Sequence, residues 1–94
     1  MTFTKRMIES ELATALGGLS ATDQEKLFEI ATRRGMTGTA DLRVRQFQSD
    51  PMKKISTLAK QAEISPAAYK QSLTSAAVKL IQARGVLDKT KNGG

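Results

Sequence analysis

Residues 55–73 read "ISTLAKQAEISPAAYKQSL". Leu58, Ala59 and Ala62 recur on one face of a helix of about two turns, and Ile64 closes it. Ser65-Pro66 then supplies a capping hydroxyl and a preset φ that restart a helix. Tyr69, Leu73, Ala76, Ala77, Leu80 and Ile81 follow at three- and four-residue steps and predict the inner face of that second helix. Two helices joined so tightly must cross steeply. Ala59 is small enough to let the second helix approach, Ile64 plugs the corner, and Tyr69 fills the wedge. This order of residue types is that of a helix-turn-helix. Glu63 stands where such a turn most often has glycine, so the corner must either keep a right-handed backbone or accept strain.

The chain on either side also reads as helix. Thr4 can cap a helix whose Ile8, Leu12, Ala15, Leu16 and Leu19 keep the same period, with Gly17-Gly18 ending it. Ser20, with Asp23 three residues on, starts a second helix carrying Leu27, Phe28, Ile30 and Ala31. Arg33 and Arg34 close that helix in keeping with its dipole. Residues 36–50 admit two readings: Leu42 and Val44 alternate like a strand, whereas Ala40, Val44 and Phe47 share a helical face starting after Thr39. The helix is preferred. Asp50-Pro51 is expected to cap and begin the next helix. These elements predict an all-α fold: a single small domain of four to five helices over residues 1–88, with the helix-turn-helix at about 55–82. The polar "DKTKNGG" is expected to fray, leaving 89–94 as a flexible tail.

Composition narrows the function. The chain has 94 residues, 39% of them hydrophobic, enough for one modest core. It has no His and no Cys, which removes imidazole bases, thiol nucleophiles and the usual zinc ligands. The nine acids are read as solvated helix faces, and no enzyme, cofactor or metal is expected. No apolar run is long enough for a membrane span, and the expected location is the cytoplasm.

The charge is unevenly placed. Up to residue 50, Lys5, Arg6, Lys26, Arg33, Arg34, Arg43 and Arg45 are matched by Glu9, Glu11, Asp23, Glu25, Glu29, Asp41 and Asp50. Beyond it, Lys53, Lys54, Lys60, Lys70, Lys79, Arg84, Lys89 and Lys91 face only Glu63 and Asp88, so the whole net charge of +6 lies in the second half. Such an excess suits a polyanion, because cations along one face release counterions from a phosphate backbone. From Ser65 to Gln82 there is no acid. A salt-bridged solvent face would mix Glu with Lys. The residues left outside the second helix's core face are Ala67, Lys70, Gln71, Thr74 and Ser75. Gln can pair bidentately with adenine, Lys can donate to guanine, and Ala or Thr can touch the thymine methyl. With Ser65 at the helix start, and Lys53, Lys54, Ser56, Thr57 and Lys60 around the preceding helix, these residues form the expected DNA-binding set.

The segments "IESELATALGGLSATDQEKLFEIATRR" and "ISTLAKQAEISPAAYKQSLTSAAVKL" resemble the KorA/TrfB-type transcriptional repressors of broad-host-range conjugative plasmids. The resemblance rests on spacing more than on identity. It implies an operator-binding repressor whose recognition helix is 66–82, with Ser65, Ala67, Lys70, Gln71 and Ser75 near DNA. Repressors of this type dimerise through a further C-terminal segment; here only "VLDKTKNGG" follows Gly85. A homodimer is expected, through the surface around Val44 and Phe47 or that around Val86 and Leu87. Two other readings stay open: a helical protein-interaction module such as an inhibitor or adaptor, and an accessory protein that organises DNA with little sequence preference.

Overall fold

The computed structural model describes residues 4–92, and among them it contains five helices and no strand. They are α1 (Lys5–Leu16), α2 (Ala21–Arg33), α3 (Gly38–Ser49), α4 (Ile55–Gln61) and α5 (Pro66–Asn92). The first three start on a hydroxyl cap. Thr4 accepts from the Met7 amide at 3.2 Å, Ser20 from Asp23 at 3.1 Å and Thr37 from Ala40 at 3.0 Å, each satisfying a donor that the first helical turn leaves free.

α5 is the mast of the fold, and every other helix packs on it. Tyr69, Leu73, Ala76, Ala77, Leu80, Ala83 and Leu87 form its buried stripe. α1 runs parallel to it. Thr4 and Lys5 lie beside Pro66 and Lys70, while the Arg84 guanidinium donates to the carbonyls of Ala15 at 2.9 Å and Gly17 at 3.0 Å, closing the C-terminus of α1. α2 runs the opposite way. Asp23 in its first turn meets Lys91 at 2.7 Å, and the turn after it, at Gly35 and Met36, sits beside Ser72, Ala76 and Lys79. The Lys91 hydrogen bond holds the Asp23 carboxyl below its usual range. α3 is pinned to α2 by Arg45, which pairs with Glu25 and Asp41 and lies 4.2 Å over the Phe28 ring.

Residues 36–50 adopt the helical reading, because Ala40, Val44 and Phe47 face the core while Leu42 is 56% exposed. The cap is Thr37 rather than Thr39, so the helix begins two residues earlier. Asp50 and Pro51 do not start the following helix. The Asp50 carboxylate accepts from the Met52 amide at 3.1 Å, and its carbonyl accepts from Lys53 at 3.2 Å, turning the chain locally. α4 starts only at Ile55, with Lys54 as an N-cap that has no side-chain bond. Ile81, expected inside α5, is 37% exposed because the core stripe passes through Leu80 and Ala83 instead.

The expected tail is also corrected. α5 continues unbroken past Gly85 to Asn92, stapled by Arg84–Asp88 within the helix and by Lys91–Asp23 across to α2. Gly93 and Gly94 lie outside the described residues. No helix among the described residues is long and apolar enough to cross a membrane.

Candidate nucleic-acid interface

The corner between α4 and α5 is built from backbone hydrogen bonds. The Ile64 amide donates to the Ala59 carbonyl at 3.0 Å and the Glu63 amide to Lys60 at 3.1 Å, the pairing that closes a helix when the residue after its C-cap turns left-handed. That residue is Glu63, with φ of +59°. Of the two backbones open to this corner, the strained one is used. Ser65 then caps α5 by accepting from the Ala68 amide at 3.1 Å, with Pro66 in the first helical position. Ala59 and Tyr69 are both fully buried.

The Tyr69 hydroxyl donates to the Arg43 carbonyl at 3.3 Å, so the side chain ties the corner to α3 as well. No residue spacing announces that bond.

A left-handed residue other than glycine costs roughly 1–2 kcal/mol. Glycine returns part of the gain through the freedom it adds to the unfolded chain. Glu63→Gly is therefore expected to stabilise the domain by about 0.5–1 kcal/mol in urea denaturation. A destabilised variant would mean that Glu63 makes a compensating interaction.

The expected DNA-binding residues all lie at the surface, but not on one patch. Ser56, Thr57 and Lys60 are exposed on α4, Lys54 precedes it, and Lys53 is half-buried in the turn before it. Ser65, Ala67 and Gln71 are exposed at the start of α5, and Lys70 is half-buried beside them. The fold brings Lys54, Ser56 and Lys70 around one open groove of ≈ 410 Å³ that Lys5 of α1 also lines. Ala67, Gln71 and Thr74 follow three- and four-residue steps and share one outward stripe. The Thr74 hydroxyl is already engaged with the Lys70 carbonyl at 2.9 Å, which leaves mainly its methyl to offer. Ser75 stands apart, lining a small groove with Gly35, Met36 and Lys79 on another side of α5.

The ion pairs lie elsewhere. Among the described residues they join Arg33 to Glu29, Arg45 to Glu25 and Asp41, Arg84 to Asp88 and Lys91 to Asp23. Arg84 and Lys91 thus hold the fold together and leave the cationic face, whereas Lys53, Lys54, Lys60 and Lys70 carry their charge without an acidic partner. Lys5 lies with Lys54 and Lys70 in space, and its position in a charge-balanced half of the chain hid it. No group of His, Cys, Asp or Glu suited to a metal occurs among the described residues.

No protein-family model, curated protein or solved structure matches the chain significantly.

Proposed function

We propose that the chain binds double-stranded DNA sequence-specifically through a helix-turn-helix made of α4 and residues 66–82 of α5. It would act in the cytoplasm as a transcriptional repressor of the KorA/TrfB type, encoded on a plasmid or other mobile element. Occupying an operator that overlaps a promoter requires no chemistry from the protein. One observation carries this reading: the outward stripe of Ala67, Gln71 and Thr74 at the start of α5 contains no acid and has beside it Lys70, which lines a groove with Lys54 and Lys5 and has no ion-pair partner among the described residues. Small and amide side chains there match base edges in the major groove, and lysines match phosphate.

The reading includes a homodimer, because one recognition helix contacts too few base pairs for useful selectivity. Its expected surfaces need correction. Val44, Phe47 and Leu87 are buried in the protomer's own core, so none of them is free to meet a partner. The large apolar residues that α5 leaves outside are Val78, Ile81 and Val86, 46%, 37% and 37% exposed. Val78 and Ile81 continue the stripe of Gln71 farther along the helix. Gln71 and Ile81 are ten residues apart, about 15 Å of helix.

The test is a titration against the DNA flanking the protein's own gene, across a range of salt, followed by sedimentation of the complex. Submicromolar binding at low salt that weakens steeply as salt rises is expected, with two protomers per site and one in the Ile81→Lys variant. No duplex binding at any salt would reject the DNA reading in favour of a protein-interaction module.

A further inference from the structure

Lysines from three separate elements meet in one groove: Lys5 opens α1, Lys54 precedes α4, and Lys70 lies one turn into α5. We infer that this groove seats one phosphate of the DNA backbone, held by Lys5 together with Lys54 and Lys70. The inference rests on the DNA-binding reading proposed above and extends it to α1, a helix outside the two-helix motif.

The groove has the required chemistry. Thr4 and Ser56 add hydroxyl donors, Ile55 adds an apolar wall, and no acid lines it. None of the three lysines is ion-paired among the described residues. The Lys5 ammonium donates to the Pro51 carbonyl in a neighbouring groove that Lys5 also lines with Glu9, so to hold the phosphate it must turn from that carbonyl or use its remaining N–H groups. Cations gathered in one concavity repel one another, and a bound anion turns that repulsion into attraction.

The groove also favours a phosphodiester over free phosphate. Lysine binds phosphate as a point charge rather than through a two-pronged fork. An open site built from lysines therefore needs the rest of a duplex to bring the phosphate to it. Lys70 and Gln71 are neighbours on α5, so a phosphate in the groove would lie next to the base edges that Gln71 faces.

The experiment measures binding of the full chain to a random-sequence 30-base-pair duplex as a function of salt, with thermal melting of each variant as a control. Lys5→Gln keeps a hydrogen-bond donor and removes the charge, and Lys5→Arg keeps both. Lys5→Gln and Lys70→Gln should each weaken binding several-fold at low salt. Each should lower the slope of log affinity against log salt by about one, the change for one lost phosphate contact. Lys5→Arg should restore both, and Lys26→Gln on α2 should change neither. A wild-type slope in Lys5→Gln, with a reduced slope in Lys70→Gln, would overturn the seat while leaving DNA binding intact. Saturable displacement of the duplex by inorganic phosphate, against chloride at matched ionic strength, would overturn it in favour of a free-phosphate site. Absence of duplex binding by the unaltered chain would instead remove the reading on which the seat depends.

Discussion

Tyr69→Ala is expected to lower folding stability by about 3–5 kcal/mol, the usual cost of truncating a buried aromatic residue. A domain of this size has roughly 5–15 kcal/mol in total, so the variant should be close to unfolding at physiological temperature. Tyr69 is among the largest fully buried side chains and ties α5 to α3. Burial raises the pKa of its phenol, so the hydroxyl remains a donor to Arg43 at neutral pH and above. Tyr69→Phe keeps the ring and loses only that 3.3 Å bond, at an expected cost of about 1 kcal/mol or less. Urea denaturation followed by far-ultraviolet circular dichroism is the suitable measurement, since the chain has one Tyr and no Trp and the mutation removes its fluorophore. A loss below about 1 kcal/mol in Tyr69→Ala would show that the corner does not depend on this wedge.

The second large effect is on recognition. Gln71 points outward from the second turn of α5, opposite the buried Tyr69 and Leu73, whereas Lys54 stands before α4 beside the lysine groove. On the proposed DNA-binding reading, Gln71→Ala should cost roughly 1–3 kcal/mol on the operator and little on random DNA, because that reading gives Gln71 a base contact to lose. Lys54→Ala should weaken both about equally and flatten the salt dependence by about one unit of slope, because a phosphate contact carries no sequence information. Isothermal titration or gel-shift measurements on operator and random duplexes separate the two roles. Parallel losses in Gln71→Ala would exclude a base-reading role and favour an accessory protein that organises DNA with little sequence preference.

The helices themselves were readable because their signals are local. Ile8, Leu12, Ala15 and Leu16 are buried at the spacing that predicts α1, and Ser20 and Ser65 cap the helices that follow them. A cap needs only a hydroxyl within reach of an amide three residues on. Asp50-Pro51 misled for a related reason. The dipeptide suits a helix start and a tight turn equally well, and the choice depended on where Ile55 and Leu58 could reach the core.

The polar stretch from Asp88 onward read as an ending because charged and small polar residues weaken a helix that stands alone. In the fold, Leu87 is buried and Lys91 reaches Asp23, 68 residues away in sequence, so packing outweighs propensity there.

The pattern of residues alone therefore decides that the chain is all-helical, where α1, α2 and α5 begin, and that a tight corner lies at residues 62–65, because periodicity, caps and turn chemistry act over a few residues. Which charges remain free is decided by the assembled fold. Arg84 and Lys91 are taken up as internal staples, Val44 and Phe47 are withdrawn into the core, and Lys5 is carried from the start of the chain to the side of Lys54 and Lys70. Those outcomes follow from distances between segments far apart along the chain, and only the packing of α1 to α4 around α5 sets them.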